Sequence, residues 1–183
     1  EYIIDCLKDK KEFLVTFIPH EWVQKLEEVG LIVRNAWHDY FKFSLNEIDP
    51  SDDFEFLTIE ECEEASKVTM MCKNQSRGGT GQTSKWMKEW ISNTEDSGSN
   101  TGTRNNGIII ERGTNNEIIG LICVATYGHE SKKGPILWIR EVEVIPKFQN
   151  IGIGRKLILK SLAYGKKHNA AIAFLAVDEC NAS

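Results

Sequence analysis

Residues 140–158 read REVEVIPKFQNIGIGRKLI, and the fold of the chain turns on this stretch. Glu141 and Glu143 alternate with Val142 and Val144, the period of a β-strand whose successive side chains face opposite sides of a sheet. Pro146 closes that strand, Gly152 and Gly154 follow, and the residues beyond them repeat at helical spacing. A glycine-bearing junction between strand and helix is a natural seat for an anion. The first N–H groups of a helix have no intrahelical acceptor, and the helix dipole adds partial positive charge there. Glycines let a ligand approach that backbone with no Cβ in the way. The amides of Asn150, Ile151, Gly152, Ile153, Gly154 and Arg155 are the available donors, and Arg155 and Lys156 add local charge. Two familiar phosphate loops do not fit. Neither glycine is followed directly by Lys and then Ser or Thr, and the third glycine of GxGxxG is replaced by Leu157.

Working outward, "GIIIERG" and "EIIGLICVATYG" flank the turn "GTNN" and read as a hairpin. "PILWIREVEVI" is the next long strand, "IGIGRKLILKSLAYGKKH" a helix, "AAIAFLAVD" a further strand, and "CNAS" is placed to open another helix. Upstream, "FEFLTI" alternates as a short strand, and Thr58 with Glu61 makes a capping-box pattern before the helix "IEECEEASKVTMMC". "TSKWMKEWI" is a second helix with Thr83 or Ser84 as its cap, and Ser92–Gly107 has the composition of a mobile loop. The order β-α-α-β-β-β-α-β predicts an α/β (α+β) domain: a mixed, mostly antiparallel sheet with helices on both faces.

Residues 1–52 read as an N-terminal extension and 53–183 as the domain, with the polar Asn46–Asp53 between them. The extension holds a helix with Trp22, Val23, Leu26 and Val29 on one face, bounded by Pro19 and Gly30, and then a strand-like aromatic run. The formal charge of −5 argues against a nucleic-acid partner. Five scattered cysteines with no CxxC pair argue against a disulfide framework or a structural metal site and for a reducing compartment. The apolar run Ile118–Tyr127 is too short for a membrane span, so a cytoplasmic location without a membrane partner is expected.

Val144, Pro146, Gln149, Gly152 and Gly154 complete the pattern V-x-P-x-x-Q-x-x-G-x-G, and "QNIGIG" fits [RQ]-x-x-G-x-[GA]. In this the chain resembles the GNAT superfamily of acyl-CoA-dependent N-acyltransferases, from Phe54 to Ser183. "FLAVDECNAS" is similar to the family's fifth strand and the asparagine beyond it. The resemblance implies acetyl-CoA as co-substrate and no metal. Val142 and Val144 would lie along the pantetheine arm, and the amides of residues 150–155, after Gln149, would hold the pyrophosphate. Asn181 would sit near the thiol. The family's fourth and fifth strands splay apart, with the thioester between them and a fourth-strand N–H polarising its carbonyl. The chain ends before the family's last helix and strands, so the domain reads as C-terminally truncated, without the tyrosine that often serves as general acid. "EWVQKLEEVGLIVRNAWHDY" resembles that ending and could take its place in the sheet; the other reading, adopted here, is an independent extension.

Acylation of an amine needs a base. Glu141 and Glu143 share one strand face and are the candidates, a salt bridge to Arg140 or another basic residue nearby being the plain alternative; the family resemblance favours Glu141. His129 and Glu130 read as solvated loop residues, Trp86 and Trp90 as packing, Cys123 as a small buried hydrophobe, and Ser76–Gln82 as a loop able to line the acceptor side. The expected activity is direct acetyl transfer from acetyl-CoA to a primary amine on a small molecule or peptide. The alternative is a non-catalytic acyl-CoA sensor. A homodimer is allowed.

Overall fold

A computed structural model describes residues 14–15, 18–73, 80–92 and 102–181. The chain divides into two compact units, Glu1–Ala36 and Trp37–Ser183. The first unit contains helix α1 (His20–Glu27), which begins after Pro19. It ends where Gly30 takes φ +93°, the N–H groups of Gly30 and Leu31 donating to the carbonyls of Glu27 and Leu26. These are the paired bonds of a Schellman ending, so both boundary residues act as their types predict.

The second unit is built on a five-stranded sheet. Its strands are β1 (Trp37–Lys42), β2 (Thr103–Arg112), β3 (Ile118–Tyr127), β4 (Ile136–Val144) and β5 (Ile172–Asp178), in the order β1-β5-β4-β3-β2. Only the β4–β5 pair is parallel, as a crossover through helix α4 (Ile153–Lys167) requires; the other pairs are antiparallel. Helices α2 (Cys62–Met71) and α3 (Ser84–Ile91) cover one face. Ala65, Val68 and Met87 pack there on Ile108, Ile110, Leu121 and Cys123. Helix α4 covers the other face, bringing Leu157 and Tyr164 onto Ile109, Ile122, Val124 and Leu137. This double cover explains the unbroken apolar runs of β2 and β3, since both sides of each strand are buried.

The caps behave as their chemistry predicts. Thr83 accepts a 3.1 Å hydrogen bond from the Trp86 N–H at the start of α3. Glu61 accepts from the Thr58 N–H at 3.0 Å, the returning half of a capping box.

Three expectations need correction. "FEFLTI" is not a strand but one bridge, Phe56 to Ile109, flanked by the bonds Leu57 N–H to Ile108 and Ile110 N–H to Glu55, both 2.8 Å. The Thr58 turn follows two residues later and leaves no room for a second pair. The strand of the supposed extension belongs to the domain: β1 runs antiparallel to β5 from Trp37–Asp178 to Lys42–Ala173. The unit boundary therefore falls at Ala36, and the polar Asn46–Asp53 lies inside the second unit. Finally, β2 starts at Thr103, inside the stretch expected to be a loop, because Tyr127 and Thr126 of β3 pair with Thr103 and Arg104. Cross-strand pairing here overrides polar composition. Residues 93–101 of that stretch lie outside the described residues, as do residues 76–79 of the loop Ser76–Gln82 and the last two residues of "CNAS".

Two contacts seat α4. Glu111 of β2, 6% exposed, has its carboxylate oxygens 2.5 Å from Lys156 Nζ and 2.6 Å from Lys160 Nζ. Burial alone would raise its pKa, but the two lysines outweigh it and hold the carboxyl below its ordinary value. At the other end of the helix, a Cβ on Gly165 would lie 2.9 Å from Leu137 Cβ, so only glycine allows this approach to β4. Gly165→Ala is therefore expected to destabilise the protein by about 1–3 kcal/mol despite alanine's better helix propensity, as overpacking of a closed contact does. Urea denaturation of both proteins measures the difference.

Candidate active site

The site begins where β4 and β5 part. Among the described residues they pair at Ile136–Ile172, Leu137–Ala173 and Trp138–Phe174, and no further. On its other edge β4 stays paired to β3 as far as Gly120–Val144. Residues Ile139–Val144 thus keep strand geometry while their β5-facing backbone groups have no strand opposite. Val142, inside a five-stranded sheet, is 39% exposed for this reason. A bulge opposite Cys123 and Val124 makes Arg140 an extra residue in β4.

The glycine loop stands at the end of this open edge. A 3-10 turn, Pro146–Phe148, leads into Gln149, whose Nε2 donates to the Val144 carbonyl at 2.9 Å and ties the loop to the strand end. Asn150 and Gly152 have φ +61° and +91°, and the first helical bond of α4 is Lys156 N–H to Gly152 C=O. The amides of Ile153, Gly154 and Arg155 therefore precede it. A Cβ on Gly152 would meet nothing within 4 Å, so the backbone there faces open space. Ile151 is exposed, and Ile153 packs against the core beneath α4. Asn181 lies just past β5 at the same end of the parallel pair, its N–H donating to the Asp178 carbonyl at 2.8 Å.

Glu141 and Glu143 stand opposite Cys123 and Leu121, which face α2 and α3. Both carboxylates are half-buried on that face. They are held differently. Glu141 accepts a hydrogen bond from Gln82 Nε2 and lies 3.6 Å from Arg140 Nε. Burial raises its pKa while Arg140 and Gln82 oppose the rise. Among the described residues Glu143 has no cationic partner of this kind. Burial, reinforced by the charge of Glu141 and opposed by the thiol of Cys72, pushes it up to about 7. Cys72 is buried and donates to the Val144 carbonyl at 3.3 Å; burial first and Glu143 next push its thiol up to about 12, so it remains protonated.

Nothing in the sequence singles out Cys72 or the particular role of Gln82, whereas Arg140 is the salt-bridge partner that the plain alternative for the glutamates expects, and it lies beside Glu141. The backbone of Gln82 is fixed by α2: its N–H donates to Thr69 Oγ1 at 2.8 Å and its carbonyl accepts from Ser66 Oγ at 2.8 Å. The only signal was its place at the end of the glycine-rich loop considered for acceptor contact. Arg140 lies with its guanidinium carbon 4.7, 5.4 and 5.6 Å from the ring centres of Trp86, Trp90 and Trp138. His129 stays out of the constellation, its Nε2 2.9 Å from Thr126 Oγ1. Cys123 is fully buried with its thiol pushed well up, and Cys180 is exposed. Among the described residues no cluster of His, Cys, Asp or Glu is arranged to hold a metal, and no helix is long and apolar enough to cross a membrane.

Comparison with known families gives this open strand edge and glycine turn their setting. The model of the acetyltransferase (GNAT) family matches residues 72–183, and the chain belongs to that family. No curated protein matches the sequence. Solved structures with a similar fold include a transcriptional regulator from Bacillus halodurans C-125, at 16% identity over 64% of this chain and 75% of that one, with a TM-score of 0.49. Others are a ribosomal-protein-alanine N-acetyltransferase from Brucella melitensis biovar Abortus 2308 (11% identity, 64% and 75% coverage, TM-score 0.48). An acetyltransferase from Trypanosoma brucei is similar at 13% identity over 64% of this chain and 77% of that one, with a TM-score of 0.47.

The state of Glu143 can be read from stability alone. Its folded pKa of about 7 lies above the ordinary 4.5, so the folded state binds the proton more tightly and loses stability as pH rises between those values. Glu143→Gln removes this dependence. Denaturation of both proteins across that range should show the variant gaining on the wild type as pH rises; parallel curves would mean Glu143 is not raised.

Proposed function

We propose that this chain transfers an acetyl group from acetyl-CoA to a primary amine by direct attack, with Glu143 as the base. The observation that carries the reading is the open edge of β4, which ends in the glycine loop and bears two half-buried carboxylates. The residues present fit an acyl-CoA. Exposed Val142 with Val144 borders the edge on which an extended arm can hydrogen-bond. The amides of residues 150–155 suit a pyrophosphate, and the open space at Gly152 leaves room for it.

Acetyl-CoA supplies the acetyl group as a thioester. A β4 N–H beyond Trp138 supplies a hydrogen bond to the thioester oxygen. Glu143 accepts, directly or through water, the proton an ammonium must lose before its nitrogen can attack. Glu143 is preferred to Glu141, the first choice from sequence, because Gln82 and Arg140 already engage Glu141 and favour its charged form. Burial, with a smaller contribution from the Glu141 charge, keeps Glu143 near the pH at which a base both holds and releases protons. Holding amine and thioester together adds the advantage of proximity.

Two measurements test this. Calorimetry should show CoA binding that Gly152→Glu weakens by about 100-fold or more, since the variant sets a carboxylate against the anion and forces a side chain into φ +91°. Unchanged affinity would remove the loop from the site. With a panel of amines and detection of free CoA thiol, kcat/KM should rise with pH up to about 7 and then level. Glu143→Gln should abolish that limb and lower kcat by about 10²- to 10⁴-fold. Binding of acetyl-CoA without thiol release from any amine would point to a sensor instead.

A further inference from the structure

On the face that carries Glu141 and Glu143, a cavity of about 260 Å³ opens at the point where β4 and β5 begin to separate. Thr103, Tyr127, Trp138 and Phe174 line it. The register explains how they meet. Trp138 and Phe174 are the last β4–β5 pair, Trp138 stands opposite Ala125, and Tyr127 pairs with Thr103. Ala125 faces α2 and α3, so Tyr127, two residues on, shares its side of the sheet. Each of the four lining residues is only half-buried. Trp138 packs against the core and Trp90 on one side and Phe174 against Phe41, yet together with Tyr127 they leave an open cavity between them rather than closing over it.

Taking the acetyl-transfer reading as given, we infer that this cavity is the acceptor subsite and that it selects amines carrying a neutral aromatic or bulky apolar group. Three observations fix the chemistry. The cavity is large enough for a ring, since an apolar cavity of about 150 Å³ already holds benzene. It lies on the carboxylates' face, because the bulge at Arg140 sets Trp138 and Glu141 opposite Ala125 and Cys123, two residues of β3 or about 7 Å apart, with Glu143 one further such step along. A ring seated against Trp138 therefore leaves its amine, on a short carbon arm, pointing along β4 toward the glutamates. Charge decides against a polycation. Arg140 rests its guanidinium against the ring of Trp138, so a second positive charge in the cavity would meet a fixed one across that wall. Burial raises the pKa of Tyr127, whose phenol thus stays neutral and offers a hydrogen bond without charge.

Selectivity of this kind appears in kcat/KM, and filling or emptying an apolar pocket is worth about 10- to 100-fold. The test compares phenethylamine, ethanolamine and spermidine as acceptors for acetyl-CoA, on the whole chain, with thiol detection. The expected order is phenethylamine ahead of ethanolamine by about 10- to 100-fold, with spermidine also behind phenethylamine. Thr103→Phe, which fills the cavity, should bring the phenethylamine-to-ethanolamine ratio close to one. Phe174→Leu, which removes one aromatic wall, should lower the same ratio and serves if the larger side chain disturbs folding. Turnover with a wild-type ratio near one, or a ratio that neither variant changes, overturns the subsite while leaving acetyl transfer standing. Faster turnover of spermidine than of phenethylamine overturns it too. No thiol release with any of the three amines defeats the acetyl-transfer reading itself, and the subsite with it.

Discussion

The early end of the β4–β5 pairing governs the rest of this molecule. Two parallel strands that share three residue pairs and then part leave one of them with a free edge in the middle of a sheet. Backbone N–H and C=O groups without partners are costly when buried, so such an edge persists only where solvent or a ligand can reach it. Here β3 holds β4 in extended form on the opposite side as far as Val144, and the bulge at Arg140 bends it between the two conditions. Everything functional is then a matter of what stands along that edge and at its end.

At its end stands the glycine loop, and its position depends on how α4 is seated. The helix is drawn against β2 by the two lysines on Glu111 and against β4 by the bare backbone of Gly165. Gln149 then fastens the loop to the Val144 carbonyl, the acceptor that Cys72 also reaches from α2. The strand end is thus gripped from both faces of the sheet. Along the strand, two carboxylates two residues apart acquire different characters from neighbours distant in sequence. Gln82 and Arg140 favour the charge on Glu141, while Glu143 is left with burial, a thiol and its charged neighbour. Burial raises the proton affinity of both, but only at Glu143 is the rise left without a cation or an amide to oppose it.

What the sequence disclosed was whatever the backbone requires locally. The glycine at φ +91°, the strand period of "EVEV", the Thr83 cap and the Gly30 ending each express a preference satisfied within a few residues. The family pattern around Gln149 belongs with these, since its chemistry is that of one turn. Hidden features depend on chain segments far apart. Composition marks Trp37–Lys42 as strand-forming, but its partner is β5, and nothing local says so. The polar "TRNN" enters β2 because β3 extends far enough to pair with it. Choosing between the glutamates needed Gln82, 59 positions away in the chain, whose backbone is in turn fixed by Ser66 and Thr69. The aromatic cavity likewise joins residues of four strands, and no window of sequence contains it.

The most direct measurement is amide hydrogen exchange along the whole chain with and without CoA. Slowed exchange in Ile139–Val144 and in residues 150–155, with β2 and the β2–β3 turn unchanged, is the predicted result. Binding of CoA that protects other segments and leaves these two as they were would contradict the open edge of β4 as the place where the ligand lies.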